Sequence, residues 1–397
     1  MSKIHVSRAV EIPDPLRIGR YRKAPELGPR ILFFSGGSAL NGLCKALKHY
    51  THNSTHLVTP FDSGGSSAEL RNAFNMPSIG DLRSRLIALA DESVLGHPGV
   101  YRLFTYRFPK DKENKQLRKR LEAMVRGKHD LIADISNPMR RLICNQLGFF
   151  VEAMPDSFDL RGASIGNLIL AGGYINNHSH LDPIIFLFSK LVHVKGMVRS
   201  VVNDNLHLGA DLADGSRVIG QHRLTGKELP PITSSIQRLF LSQQLNDYIP
   251  ATSRLKRKNR KLIESANLIC YPHGSFYTSL LANLLPTGVG SAIASTGCPK
   301  VYIPNQGSDP EQIGMTQEQM VDTLLRRLWQ DAGGMCPAHQ LLNFIMIDSK
   351  NGHNFPAAAM KRVGGLGIQF IDTPLISKRS APYYDDELLV SALLSLT

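Results

Sequence analysis

Four short apolar runs, each broken by a turn of small, hydroxyl or amide residues, constrain the fold of this chain more than any other feature. Ile31-Leu-Phe-Phe34 stops at Ser35-Gly36-Gly37-Ser38, and His56-Leu-Val-Thr59 stops at a stretch reading PFDSGGSS that ends at Ser67. Leu268-Ile-Cys-Tyr271 stops at Pro272-His273-Gly274-Ser275, and Lys300-Val-Tyr-Ile303 stops at Pro304-Asn305-Gln306-Gly307. Helical patterns follow the first three. Continuous rather than alternating apolar runs suit strands buried on both faces, as in a parallel sheet covered by helices. The expectation is an α/β fold with a mostly parallel sheet and helices on both faces, whose ligands bind at the carboxyl ends of the strands.

The rest of the chain has other textures. Val194–Val202, Leu206–Ala213 and Arg217–Leu224 read as strands, the last two joined by Asp214-Gly215, which predicts an antiparallel hairpin appendage. Residues 1–30 read as an irregular, Pro- and Arg-bearing arm, and 31–397 as one domain with two insertions. The insertion at about 98–150 is helical and basic; the one at about 225–260 is rich in loop residues. An amphipathic helix is expected over 315–332, strands at Leu342–Ile347 and Gly367–Ile371, and a closing helix over Asp386–Leu396.

Charge narrows the partners. The 46 Lys and Arg outnumber the 33 Asp and Glu, for a net charge of +13, which suits either nucleic acid or small anionic ligands. Much of the excess lies in Lys110–Lys128 and Arg254–Lys261. The first reads as a solvated helix with one apolar stripe of Leu117, Leu121 and Met124; no aromatic residues interleave with its bases, so nucleic acid is not the expected partner. Pro183–Val194 is too short for a membrane span and carries Lys190 and His193. The N-terminus lacks a signal-peptide core, so a cytoplasmic protein is expected. Five scattered cysteines, at 44, 144, 270, 298 and 336, read as buried free thiols.

The turns carry the chemistry. In Gly36-Gly37-Ser38-Ala39-Leu40-Asn41-Gly42 no lysine follows the last glycine and the spacing is not G-x-G-x-x-G, so neither the P-loop nor the dinucleotide fingerprint is present. An anion-accepting turn and a plain tight turn both remain open there. In the second turn Gly64 and Gly65 allow close backbone approach, Ser66 and Ser67 suit a helix cap, and Asp62 offers a carboxylate at a strand end. Asp81 and Arg83 follow, as a helix cap and its partner or as site residues. The Pro272–Ser279 turn offers amides, hydroxyls and a phenol at a helix start, suited to diphosphate. His178-Ser179-His180 reads as surface or capping histidines. Gly162-Ala163-Ser164-Ile165-Gly166 matches a nucleophile elbow without the apolar strand that should precede it. Cys44 reads as core.

Four blocks in order resemble the CofD-like (2-phospho-L-lactate transferase) superfamily, and within it the YvcK-like gluconeogenesis-factor branch: SGGSALNGL (35–43), FDSGGSSAELRNAFNMPSIGDLRSRLIALAD (61–91), GASIGNLILAG (162–172) and PHGSFYTSLLANLL (272–285). The resemblance implies a Rossmann-like domain binding a nucleotide-diphosphate ligand, a UDP-sugar or similar molecule in the YvcK-like branch or a phospholactate-type donor in the transferases. It assigns the pocket to Gly36, Gly37, Ser38, Gly64, Gly65, Ser66, Ser67, Asn167, Gly274, Ser275, Tyr277, Thr278 and Asn305, with Asp62 as the acid that serves catalysis if the protein is a transferase. Ser63 stands where the branch has a second acid, which weakens the case for a divalent-metal transfer. Regulatory binding is therefore the expected role and group transfer the alternative, with Mg²⁺ the cofactor left open and a homodimer compatible with the sequence.

Overall fold

The computed structural model describes residues 9–93, 97–334 and 336–397. Its centre is a seven-stranded, all-parallel sheet in the order β11-β10-β9-β8-β1-β2-β3. These strands are β1 (Ile31–Ser35), β2 (Thr55–Val58), β3 (Met197–Ser200), β8 (Leu268–Tyr271), β9 (Lys300–Tyr302), β10 (Phe344–Ile347) and β11 (Gln369–Asp372). The continuous apolar runs do what two-sided burial demands: Ile31 and Phe33 pack into the core on one face of the sheet, Leu32 and Phe34 into that on the other. The α/β fold with a mostly parallel sheet is thus the fold of the molecule.

Strand order decides where a ligand can sit. From β1 the chain builds outwards through β2 to β3, then crosses back to β8 and continues through β9 to β11. Connections on the two sides of β1 leave in opposite directions, opening a crevice at the carboxyl ends of β1 and β8.

Four expectations need correction. The run near 197–200 is not part of the hairpin appendage: β3 pairs in parallel with β2 at the sheet edge. The hairpin, β4 (His207–Leu212) with β5 (Arg217–Ile219), belongs to a second sheet in the order β5-β4-β6-β7, completed by β6 (Ile236–Ser242) and β7 (Pro250–Ala251). The supposedly loop-rich 225–260 insertion therefore supplies two strands, and Arg217–Leu224 is strand only to Ile219 before a short helix at Gln221–Leu224. Nor is the whole N-terminal arm irregular. Pro15–Lys23 is a helix capped by Asp14, whose amide donates to Ser395 Oγ at 2.8 Å, while Arg17 donates to the Ser395 carbonyl at 2.8 Å.

The 98–150 region is helical as its pattern requires, with Leu117, Leu121 and Met124 buried in the helix Asn114–Val125. Burial of such side chains contributes roughly 1.5–3 kcal/mol each, so the stripe pins a helix whose other faces are basic. Among the described residues no helix is long and apolar enough to cross a membrane. All five cysteines are free, but against expectation only Cys44 and Cys270 are buried; Cys144, Cys298 and Cys336 sit at the margin of the core and are partly exposed.

Candidate functional site

A cavity of about 800 Å³ opens at the carboxyl ends of β1, β2 and β8. The first glycine turn, the PFDSGGSS turn and the start of the helix Ile165–Asn176 meet there, with Ser275 and Ser279 reaching in from the turn after β8. The turns are tied together from behind: Asn283, fully buried, donates to the Ser35 carbonyl at 2.9 Å, and Arg85 donates to the Gly37 carbonyl at 3.1 Å and to Cys44 Sγ at 2.9 Å. Cys44 is accordingly core, its thiol pushed up by burial.

At the PFDSGGSS turn the helix cap is Gly64, not a serine, and Asp62 closes the turn that leads into it. Its carboxylate accepts from the Gly64 amide at 3.1 Å and from Ser67 Oγ at 2.8 Å, while Ser66 and Ser67 lie inside the first turn of the helix Gly65–Phe74. The next helix, Gly80–Ala88, starts against this turn. Gly80 lets the two turns pack closely: a Cβ would come within 2.8 Å of Ser67 Oγ, which would have to turn away, and 3.6 Å of Asp62 Oδ2. This close approach brings Asp81 to the same cavity as Asp62. Burial first, and then the negative charge of Asp62, push the Asp81 carboxyl up to about 6. The sequence left Asp81 open between a helix cap and a site residue; its place on the cavity follows from the close contact between two consecutive loops.

Ser63, the departure from the acidic pair, turns aside to His222: Ser63 Oγ lies 2.8 Å from Nδ1 and accepts from the His222 amide at 3.3 Å. The contact is made either by the Ser63 hydroxyl donating to Nδ1 of the Nε2–H tautomer or by an Nδ1–H donating to Ser63 Oγ. His222 lines the cavity, and burial lowers its proton affinity.

Cationic side chains enter from the helix Gly80–Ala88, which also carries Asp81, and from the 98–150 region. Arg83, Arg107 and Lys110 line the cavity, and burial, followed by the charge of Arg107, lowers Arg83 to about 10. Arg71 is not among them. It is buried behind the PFDSGGSS turn, donating to the Asp62 carbonyl at 3.0 Å, to Asn205 Oδ1 at 2.9 Å and to the Leu206 carbonyl at 2.7 Å.

Gly36, Gly37, Ser38, Asp62, Gly64, Gly65, Ser66, Ser67, Asn167 and Ser275 all line the cavity. Gly274, Tyr277, Thr278 and Asn305 do not, and for two of these the reason is visible. The amides of Tyr277 and Thr278 donate to Glu311 Oε2 at 3.1 and 2.8 Å, the Thr278 hydroxyl to Glu311 Oε1 at 2.5 Å, and the Phe276 amide to Asp309 Oδ2 at 2.9 Å. The turn that suited a diphosphate is filled by the chain's own carboxylates. Asn305 donates to the Gly307 carbonyl at 3.4 Å.

The other motifs resolve simply. Ser164 is the residue before the helix Ile165–Asn176 and has no preceding strand, only an isolated bridge to Arg107. His178 and His180 are exposed in the turn between two helices, and among the described residues no group of three potential metal ligands is found.

Residues 31–363 match the family of the 2-phospho-L-lactate transferase CofD. The chain is similar to a protein named gluconeogenesis factor from Bacillus subtilis (strain 168), 31% identical over 282 residues that cover 71% of this chain and 69% of that protein. It is also similar to a putative gluconeogenesis factor of Nostoc sp., 29% identical over 82% of this chain but only 56% of that relative's length. A crystal structure of a UPF0052 family member from Bacillus halodurans shares the fold, with a TM-score of 0.65 at 22% identity, covering 92% of this chain and 99% of that one.

Proposed function

Because the chain belongs to the CofD family, we propose that it binds a nucleotide-diphosphate ligand, a UDP-sugar or a similar molecule, in the cavity at the strand ends. The observation that carries this reading is the meeting of the Gly36 turn, the PFDSGGSS turn and the wall bearing Arg83 and Asn167 around one space of about 800 Å³ at the switch between β1 and β8. That volume lies in the range of small-molecule and cofactor sites. Backbone amides and cationic side chains suit phosphate, and the hydroxyls of Ser38, Ser66 and Ser275 suit a hydroxyl-rich partner.

The donor set also fits a divalent cation. Asp62 and Asp81 face one cavity, and the charge of Asp62, which adds to burial in raising the proton affinity of Asp81, is what a hard dication relieves. Mg²⁺ bound there would supply charge neutralisation for a diphosphate. Asp81 thereby takes the place of the second acid missing at Ser63, which favours a second reading: transfer of a phospholactate-like phospho-organic group from the nucleotide diphosphate to an acceptor hydroxyl. In that reading Asp62, held by Gly64 and Ser67, orients the acceptor hydroxyl, and Arg83 and Lys110 stabilise charge on the transferred group.

Native mass spectrometry of the purified protein tests the first reading by the mass of any co-purifying nucleotide. A thermal-shift series with UDP, GDP and their sugar conjugates complements it; a hundredfold excess over Kd stabilises by about 2.7 kcal/mol. No response to any diphosphate nucleotide would refute the binding site. Mg²⁺-dependent release of nucleoside monophosphate in the presence of an acceptor, lost in Asp62→Asn, would establish transfer over regulation.

A further inference from the structure

Six of the eight residues from Arg254 to Lys261 are bases, and none of them lines the strand-end cavity. The other two, Leu255 and Asn259, are buried and turn the bases outwards. Asn259 anchors the helix Arg257–Glu264, its side chain donating to the Ser200 and Val201 carbonyls at 2.8 and 2.9 Å. The segment leading into that helix is fixed as well: the Leu255 amide donates to the Thr287 carbonyl at 2.9 Å, and the Thr287 amide to the Ser253 carbonyl at 2.8 Å. With the backbone held in this way, the spacing of three along Arg254, Arg257 and Arg260 brings all three to one cleft. That cleft, of about 660 Å³, lies between this helix and the helices Val289–Ala294 and Gln317–Ala332, and it shares no lining residue with the strand-end cavity.

The cleft keeps its positive charge. Asp331, the one acid among its lining residues, turns both carboxylate oxygens to the backbone, accepting from the Gly288 amide at 2.9 Å and the Gly290 amide at 2.6 Å. Arg260 donates to Glu264 at 2.7 Å and to Ser291 Oγ at 3.2 Å, which fixes its guanidinium at the cleft wall. Among the described residues Arg254 and Arg257 make no ion pair. Guanidinium groups gathered around a concavity focus positive potential into it, and their planar forks match phosphate oxygens in pairs. Thr252, Thr287 and Ser291 bring hydroxyls to the same cleft, whereas no aromatic side chain lines it, so nothing there stacks on a nucleobase. Its volume lies in the range of small-molecule sites.

We propose that this cleft is a second ligand site, for a small, non-aromatic polyanion: a sugar or polyol carrying two phosphates, with Arg254, Arg257 and Arg260 as the partners of those phosphates. The site is independent of the nucleotide-diphosphate reading and requires neither Mg²⁺ nor the strand-end turns.

Glucose 1,6-bisphosphate, glucose 1-phosphate and glucose, titrated calorimetrically into the full chain at physiological salt without Mg²⁺, test this. The bisphosphate should bind roughly tenfold tighter than the monophosphate, and glucose not at all, because each phosphate engages its own guanidinium. The double variant Arg254→Gln, Arg257→Gln, at exposed positions, should lower bisphosphate affinity by about tenfold and leave the melting temperature of the free protein unchanged. Arg107→Gln with Lys110→Gln, in the strand-end cavity, should leave bisphosphate affinity as it is. Equal binding of the mono- and bisphosphate, no binding of either at millimolar concentration, or an affinity unchanged in the Arg254 and Arg257 variant overturns the proposal. So does an affinity lost only in the Arg107 and Lys110 variant, which puts the bisphosphate in the strand-end cavity. Oligouridylate or phosphatidylglycerol vesicles bound more tightly than the bisphosphate, and released by the Arg254 and Arg257 variant, would overturn it in favour of a macromolecular polyanion.

Discussion

The turns after β2 and β8 are written in nearly the same residues, with glycine, serine and aromatic side chains after a short buried strand, but the molecule uses them differently. In the turn after β2 the Gly64 amide is held by Asp62 and the Gly65 amide by Glu228 at 3.2 Å, and the loop faces the cavity. In the turn after β8 the amides of residues 276–278 are sealed beneath Asp309 and Glu311, of which Glu311 is fully buried. A helix start ready for an anion is therefore not yet an anion site; what matters is whether a carboxylate from elsewhere in the chain already fills it, and how firmly. Glu228 is exposed and displaceable, whereas Glu311 is built in.

The sharpest way to break this contrast is Glu311→Ala. It leaves two amides and a hydroxyl without an acceptor in a closed turn, and the expected loss of stability is on the order of 3 kcal/mol in denaturant unfolding. Nucleotide affinity should change little. A gain in anion binding instead would show that the turn after β8 is the true phosphate site. The pH dependence of stability probes the same residue more gently. Burial, then the charge of Asp309, push Glu311 up to about 8. The native state therefore keeps a proton that the unfolded chain loses above its ordinary carboxyl range, so this contribution to stability is present at acid pH and is lost as pH rises through about 8. Glu311→Gln should flatten the fall in Tm between pH 5 and 9; an unchanged profile would mean that Glu311 is ionised throughout.

Smaller effects are expected in the turn after β2. Asp62→Asn removes one of two carboxylates, and Mg²⁺-dependent affinity for a diphosphate should fall roughly tenfold, about 1.4 kcal/mol, in calorimetric titrations. Equal affinity with and without Mg²⁺ in both proteins would remove the cation from the site. Glu228→Gln, at the edge of the cavity, should raise affinity for phosphorylated ligands by about threefold, since it replaces a charge at a helix N-terminus with a neutral acceptor. Lower affinity would mean that Glu228 touches the ligand.

Much of the site was legible because its residues are local in sequence. The turns holding Gly36 and Asp62 follow recognisable buried strands, and the periodicity of Leu117, Leu121 and Met124 marked their helix. Asp81, by contrast, stayed open between a helix cap and a site residue, and only the packing of Gly80 against Ser67 sets it beside the Asp62 turn. Tyr277 and Thr278 looked like ligand residues because nothing in their own stretch announces that Glu311, 33 residues beyond Thr278, accepts from them. The second sheet was half missed for a similar reason: the alternation in Ile236–Ser242 is imperfect, and only its pairing with His207–Leu212 makes it a strand.

The order of apolar runs and glycine turns by itself determined that this chain forms a parallel α/β sheet with a crevice at its strand ends, because backbone pairing, two-sided burial and tight turns are dictated by a few consecutive residues. Only the tertiary structure decided which of those turns stays open, which acids stand together and which bases go unpaired. Electrostatic partnership depends on distance through space, and residues such as Asp62 and Asp81, Thr278 and Glu311, or Arg83 and Asn167 become neighbours only once the sheet has brought their loops to one end.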